Sequence, residues 1–142
     1  MVQREIDIEA PQGLVYDIIC DFESYPEFLQ SMVKVKKRGK DRVEFKLHLI
    51  KDIHYSLCFS FDPPKALRWE LVKGDLMKKN SGSWELTAIS NQQTKALYSI
   101  DLKFNWLVPK MIVDQLTKIQ LPETLEAFKM RAEALLSNTL EH

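Results

Sequence analysis

The sequence predicts an α+β domain in which a curved antiparallel sheet of about seven strands wraps around one long C-terminal helix. Two short helices are expected after the first strand. Apolar and polar residues alternate with period two along most of residues 33–104, whereas apolar residues recur at helical steps in residues 109–136. Short connections between successive strands require antiparallel neighbours. We expect such a sheet and helix to enclose an apolar cavity.

The size and composition fit one globular domain, which we place at residues 1–139. The last three residues, Leu140, Glu141 and His142, resemble the remnant of a histidine tag. No apolar run approaches the roughly 20 residues that a membrane-spanning helix needs. The amino terminus lacks the apolar core of a secretory signal. We therefore expect the protein in the cytoplasm, either free or peripheral at the inner face of the membrane.

The charge balance argues against nucleic acid as a specific partner. Lys plus Arg number 20 and Asp plus Glu number 20, so no basic excess is available to neutralise a phosphate backbone. Cys20 and Cys58 lie far apart and form no CxxC motif, which argues against a redox pair or a structural zinc site. We expect reduced thiols, no metal and no cofactor.

The amino-terminal segment predicts one strand followed by two short helices. Residues Val2 to Ile8 alternate as in a strand, and Pro11 suits the first position of a helix. Because the residue before a proline disfavours helix, we expect a break before Pro26 and a second helix over Tyr25 to Leu29. One face of the first helix should be buried through Val15, Ile18, Ile19 and Phe22.

The middle of the chain predicts strands that each have one apolar face. Turns are expected at Gly39 to Asp41 and at Asp62 to Pro64, and a longer loop from Lys73 to Gly82. The expected inward residues are Val43, Phe45, Leu47 and Leu49; Ile53, Tyr55, Leu57, Phe59 and Phe61; Leu67, Trp69 and Leu71; Trp84, Leu86 and Ala88; and Ala96, Tyr98, Ile100, Leu102 and Phe104.

The last segment predicts a helix from about Pro109 to Leu136 that covers the sheet. Pro122 lies inside it, and its ring would clash with the carbonyl group of Lys118, so we expect a kink or a break near Gln120. The apolar stripe comprises Leu121, Leu125, Phe128, Ala132 and Leu135, extended by Ile112, Leu116 and Ile119.

Three stretches resemble the START-like helix-grip proteins of the polyketide cyclase/dehydrase group. They are Tyr25-Pro26-Glu27-Phe28-Leu29, then Leu71 to Gly74 followed by Gly82-Ser83-Trp84-Glu85-Leu86, and Phe128-Lys129-Met130-Arg131-Ala132-Glu133. Within that group the chain resembles the branch that contains the coenzyme Q-binding protein and the ribosome-association toxin. The resemblance implies a START/Bet v 1-like helix-grip fold. It also implies binding of a hydrophobic small molecule, such as the polyprenyl quinone ubiquinone, or a lipid.

The predicted cavity has an apolar lining and an entrance at one end of the sheet. Loops at that end carry the apolar residues Leu76, Met77, Trp106 and Leu107 beside several lysines, which suits transient contact with a membrane surface. The alternative is that these residues simply cap the core. The expected ligand-binding residues are Phe45, Leu47, Tyr55, Leu57, Phe59, Trp69, Trp84, Tyr98, Ile100, Leu125 and Phe128.

The predicted cavity contains no catalytic residue. The strand alternation sends His48, His54 and Cys58 to the outer face, and no nucleophile and base, carboxylate pair or metal-ligand spacing is present. We therefore expect noncatalytic binding, transport or chaperoning of a hydrophobic molecule. Two alternatives stay open: an interaction protein that binds the ribosome like the toxin branch, and an enzyme like the polyketide cyclases and dehydrases.

Overall fold

The computed structural model describes residues 1–140 of the 142-residue chain. One seven-stranded antiparallel sheet makes up most of the molecule. The strands are β1 (Val2–Ile8), β2 (Met32–Lys37), β3 (Arg42–His48), β4 (Asp52–Asp62), β5 (Ala66–Gly74), β6 (Met77–Ser90) and β7 (Gln93–Phe104). The helices are α1 (Gln12–Cys20), a 3₁₀ helix (Phe22–Glu27), α2 (Lys110–Asp114), a π-helical segment (Gln115–Gln120) and α3 (Leu121–Leu140).

The predicted fold class is confirmed. The strand order is β1-β7-β6-β5-β4-β3-β2, so each strand from β2 onward pairs with its neighbour in sequence. β1 pairs with β7 over its whole length, from Val2 opposite Ile100 to Ile8 opposite Thr94. The sheet curls into a half-barrel, and the long C-terminal helix packs inside the curl. The apolar stripe of α3 is buried there, as expected for Leu121, Leu125, Phe128 and Ala132.

The first two helices meet at a different residue from the one predicted. Pro11 precedes α1 as its N-cap, and the 3₁₀ helix already begins at Phe22, so the break lies at Asp21 rather than at Tyr25. Pro26 lies inside the 3₁₀ helix, and its nitrogen carries no hydrogen to donate to the helical ladder. The predicted buried face is confirmed, including Phe22.

The predicted loop from Lys73 to Gly82 is wrong. β5 continues to Gly74 and β6 begins at Met77, so only Asp75 and Leu76 connect the two strands. The two glycines suggested a loop, but Gly82 lies within β6 opposite Trp69. A Cβ atom on Gly82 would lie 2.6 Å from Cζ2 of Trp69 and would also collide with the backbone carbonyl of Ser99. Gly82 is therefore required by the close approach of both the Ser99 carbonyl and the Trp69 indole.

The C-terminal helix is continuous across Pro122. The expected break near Gln120 is replaced by the π-helical segment, which leads directly into α3 at Leu121. A π-helical turn is wider than an α-helical turn and is one of the recognised ways to absorb a local disturbance of the hydrogen-bond ladder. The single helix can thus run along the whole opening of the curled sheet.

Strand β2 departs from simple alternation. Its pairing with β3 shifts between Met32 and Lys34, as in a β-bulge, so Met32 and Val35 are buried while Val33 is exposed. The proposed tag remnant includes Glu141 and His142, which lie outside the described residues. Among residues 1–140, no helix is both long and apolar enough to cross a bilayer.

Replacing Gly82 by alanine tests the packing of Trp69. The added methyl group overpacks the wall, so the free energy of unfolding should fall by about 1–3 kcal/mol. Gly13 is a matched control because a Cβ atom there meets nothing within 4 Å. Gly13→Ala in helix α1 should raise stability by about 0.4–1 kcal/mol. Urea denaturation of both variants checks the pair, and equal effects would contradict the close approach at Gly82.

Candidate binding cavity

A cavity of about 750 Å³ lies between the sheet and the C-terminal helix. This volume is within the range of small-molecule sites, roughly 300–1,000 Å³. Strands β3 to β7 provide one wall, and the 3₁₀ helix, residues 28–32 and the C-terminal helix provide the other. The sheet curls away from the C-terminal helix, and its large aromatic side chains hold the two apart. The helix therefore does not fill the space between them.

Ten of the eleven residues predicted to bind a ligand line this cavity. The exception is Leu125, which is buried in the main core but does not border the cavity. It lies one helical turn before Phe128 on α3, the helix that also packs against α1 and β1. The ten that line the cavity are Phe45, Leu47, Tyr55, Leu57, Phe59, Trp69, Trp84, Tyr98, Ile100 and Phe128.

Sequence reasoning missed several lining residues. Met77 and Asn80 were placed in a loop, whereas both are buried on the inner face of β6. Continuing the alternation backward from Trp84 through Gly82 would have found Asn80. The others lie in or just after the 3₁₀ helix, or in the π-helical segment, where no simple period applies; they include Tyr25, Phe28, Leu29, Met32, Leu116 and Gln120.

Phe128 is the centre of the aromatic contacts that hold α3 to the rest of the molecule. Its ring centroid lies 5.2 Å from that of Tyr25, 5.1 Å from that of Phe28 and 5.3 Å from that of Trp84. All three contacts are edge-on, the arrangement that the charge distribution of aromatic rings favours. The three stretches that resemble the family thus meet around one side chain.

The strands that line the cavity contribute neutral polar groups, whereas its charged lining residues, Glu123, Glu126 and Arg131, lie on α3. Tyr55 and Tyr98 both line the cavity, and neither hydroxyl has a hydrogen-bond partner among residues 1–140. The indole N–H of Trp69, by contrast, donates to Oδ1 of Asn80 at 3.0 Å. Neither hydroxyl is fully enclosed, since among residues 1–140 only Tyr16 has a buried side-chain oxygen without a partner. The two tyrosines are therefore available to orient a bound molecule.

Burial keeps the cavity tyrosines protonated. Desolvation raises the pKa of Tyr55 and that of Tyr98 well above the ordinary value, and the neighbouring Tyr55 raises the pKa of Tyr98 further. Burial likewise raises the pKa of Tyr25, whose hydroxyl donates to the carbonyl oxygen of Ile19. Near neutral pH these side chains are hydrogen-bond donors and not bases.

The cavity opens between α3 and the segment that joins the 3₁₀ helix to β2. Two polar contacts bridge this portal. Nε2 of Gln120 donates to Oγ of Ser31 at 2.7 Å, and the guanidinium of Arg131 pairs with Glu27 at 2.8 Å. Arg131 also lies over the ring of Phe28, 5.2 Å from its centroid. The carboxylates that border the cavity, Glu123 and Glu126, also lie at this portal and not among the aromatic walls of the sheet.

The histidines lie on the outer face, as predicted. His48 pairs with Asp52 at 2.6 Å, and His54 pairs with Asp75 at 3.1 Å. Cys58 is also exposed. Within residues 1–140, no group of three or more His, Cys, Asp or Glu side chains is arranged to hold a metal ion.

Of the four residues predicted at the cavity rim, Met77 lines the cavity, whereas Leu76, Trp106 and Leu107 do not. Trp106 and Leu107 are exposed and Leu76 is half-buried, but Met77 is buried beside Ile53 and Ile112. Met77 is thus a wall residue, because β6 starts there instead of at Gly82. Helix α2 packs Ile112 over this end of the sheet, which closes it.

The four tyrosines of the chain give the fold a defined response to alkaline pH. Burial raises the pKa of Tyr16 to about 12, and the other three also titrate above the ordinary range. Above pH ~10 the unfolded chain loses protons that the folded chain keeps, so the free energy of unfolding should fall as the pH rises. Tyrosinate absorbance at 295 nm should therefore appear together with unfolding. Native protein that ionises two or more tyrosines near pH 10 would contradict their burial.

The comparisons with known proteins agree with this architecture. A model of the family described as polyketide cyclase / dehydrase and lipid transport matches residues 8–129. A search of curated protein sequences gives no match. A START superfamily protein from Mycobacterium smegmatis superposes with a TM-score of 0.82 at 16% identity, covering 94% of this chain and 97% of that one.

Two further solved structures with this fold are an aromatase/cyclase and a di-domain ARO/CYC protein. The Zhui aromatase/cyclase from a Streptomyces species has a TM-score of 0.81 at 14% identity, with 93% of this chain and 92% of that chain covered. The di-domain ARO/CYC StfQ from the steffimycin biosynthetic pathway has a TM-score of 0.79 at 16% identity, covering 96% of this chain and 46% of that chain. At these identities the likeness shows a shared fold. The predicted resemblance to START-like helix-grip proteins is confirmed, and the chain belongs to the polyketide cyclase / dehydrase and lipid transport family.

Proposed function

We propose that the protein binds one uncharged hydrophobic molecule in the cavity and carries it without transforming it. The observation that carries this proposal is the pair of hydroxyls on Tyr55 and Tyr98, which have no partner among residues 1–140 and lie on a strand wall that is mainly aromatic and aliphatic. Neutral donors suit carbonyl or quinone oxygens. A carboxylate or phosphate would lose its hydration, and the cationic lining residue Arg131 is already paired with Glu27. A polyprenyl quinone such as ubiquinone is our first candidate, and a lipid is the second.

The dimensions of the cavity support a ring-bearing ligand with a tail. A volume of about 750 Å³ accommodates a drug-sized molecule, but not a polyprenyl chain of many units. The ring would lie between the aromatic walls, where stacking and edge contacts are favourable. The tail would leave through the portal between α3 and residues 28–31, where Met130 offers apolar surface.

The protonation of the cavity argues for binding rather than for catalysis. An enzyme of the cyclase or dehydrase type needs a group that moves a proton near neutral pH. The inner tyrosines have raised pKa values, and the nearest carboxylates lie at the portal. Two structural neighbours are an aromatase/cyclase and a di-domain ARO/CYC protein, so an enzyme of this kind is our second candidate function.

Ligand uptake by delipidated protein tests the proposal. A short-chain ubiquinone should quench the fluorescence of Trp69 and Trp84 with a stoichiometry of one. Removing either hydroxyl with Tyr55→Phe or Tyr98→Phe should weaken binding by roughly five- to tenfold, because a typical net hydrogen bond contributes about 1 kcal/mol. Tyr16→Phe is the matched control, since this buried tyrosine does not line the cavity. Its affinity should equal that of the wild type.

A cavity-filling variant separates the candidates. Ile100→Phe places extra volume inside the cavity and should abolish saturable uptake. Uptake that persists in this variant, or is absent from the wild type, contradicts the proposal. Recovery of a cyclised or dehydrated product from a polyketide-type substrate would favour the enzyme. Co-sedimentation with ribosomes that survives Ile100→Phe would instead favour the interaction protein.

A further inference from the structure

A set of large apolar side chains is exposed at one end of the sheet. The exposed fraction is 81% for Trp106, 68% for Leu107, 64% for Met111 and 52% for Ile50. Trp106 and Leu107 lie between β7 and α2, Met111 lies in α2, and Ile50 lies between β3 and β4. We call these four residues the apolar tip. Single exposed apolar residues are ordinary, but a concentration of this kind marks an interaction surface.

The members of the apolar tip belong to segments that meet in space. Ile50, Leu107 and Met111 each adjoin in sequence a residue of one small apolar cluster. That cluster is centred on Ile53, Met77, Ile112 and Leu116, with Leu49, Leu76 and Val108 packed against it. The cluster thus fixes the loops of the tip to the same end of the sheet.

The same end carries a surplus of positive charge, although the whole chain has a formal charge of zero. Residues 46–54, 72–79 and 101–118 contain eight lysines and four aspartates, an excess of four positive charges. Each of these aspartates pairs with a lysine or a histidine: Asp52 with Lys46 and His48, Asp75 with His54, Asp101 with Lys79, and Asp114 with Lys118.

Four lysines remain at this end without an acidic partner among residues 1–140. They are all exposed, and they are Lys51, Lys73, Lys78 and Lys110. A fifth, Lys103, is exposed and interacts electrostatically with Asp101. Lys51 is next to Ile50 and Lys110 is next to Met111. The arrangement joins an apolar centre that contains a tryptophan to unpaired cations at the same end of the sheet. Tryptophan and lysine together favour the interface of a membrane with anionic headgroups.

The portal of the cavity adjoins this end. The backbone N–H of His48 donates to the carbonyl oxygen of Ser31 at 2.8 Å, and Ser31 bridges the portal to Gln120. His48 is only two residues before Ile50. On the other side of the portal, Ile119 is exposed next to Gln120. A ligand that leaves through the portal would therefore emerge close to the apolar tip.

We propose that the apolar tip docks transiently on the surface of an anionic lipid bilayer. Trp106 and Leu107 enter the headgroup region, Met111 and Ile50 flank them, and the unpaired lysines contact the lipid phosphates. This surface goes beyond the proposed cargo binding, because docking requires no molecule in the cavity. Docking would bring the portal close to the bilayer, so that a molecule dissolved in the membrane can enter the cavity.

Flotation with vesicles tests the docking surface. The full chain should float with vesicles of phosphatidylcholine and phosphatidylglycerol, and much less with phosphatidylcholine alone. The double variant Trp106→Ala, Leu107→Ala should lose this binding, and Lys51→Glu, Lys110→Glu should weaken it by at least about tenfold. Ile89→Ala is the matched control, because Ile89 is an exposed apolar residue at the opposite end of β6. That variant should float like the wild type.

Several outcomes would overturn the docking surface. Equal binding to neutral and anionic vesicles, or no binding to either, removes the electrostatic argument. If the lysine variant loses vesicle binding while the variant Trp106→Ala, Leu107→Ala binds fully, the surface is a general polyanion site instead. Light scattering could instead show a dimer of the wild type that dissociates in the variant Trp106→Ala, Leu107→Ala. That result would assign the apolar tip to contact with a second copy of the chain. Quinone uptake is measured separately, so either proposal can fail while the other stands.

Discussion

The packing of one phenylalanine determines how the rest of the molecule is arranged. Helix α3 must bury an apolar stripe against a sheet that curves away from it, and Phe128 is the residue through which it makes contact on both sides. Its ring meets Trp84 on the sheet, Tyr25 in the 3₁₀ helix and Phe28 just after that helix. Edge contacts between large rings keep the helix backbone away from the sheet. The space enclosed between them is the cavity.

The need to bury the large aromatic side chains explains why the sequence predicts the fold so well. Alternation places Phe45, Tyr55, Trp69 and Tyr98 on one face, and any register that exposed them would expose much of the apolar content of the chain. The predictions that fail are those that place the end of a strand or a helix at a glycine or a proline. Gly82 suggested a turn but makes room for Trp69, and Pro122 suggested a break but follows a π-helical segment.

The candidate site was predicted less completely for a related physical reason. Inward positions on strands follow from a period of two, so ten lining residues were found. The portal is built from residues whose positions depend on tertiary contacts, such as the pairing of Arg131 with Glu27 across more than a hundred residues. No local pattern encodes that contact. The assignment of Asn80 failed because it depended on the start of β6, and strand ends are poorly defined by alternation.

The molecule separates its charges from its interior. The inner walls contribute aromatic rings and hydroxyls that burial keeps protonated, while carboxylates lie at the portal and free lysines lie at one end of the sheet. This division suits a container for uncharged molecules better than a catalyst, since proton transfer would require an ionisable group near neutral pH. It also places the entrance beside the surface that we assign to the bilayer.

The interior between the sheet and α3 is open space with apolar walls. Diffraction from crystals pressurised with xenon probes this space, because xenon enters apolar cavities and gives strong density there. We expect xenon between Phe128, Tyr55 and Ile100. A structure in which the aromatic side chains fill that space and no xenon binds would contradict the account.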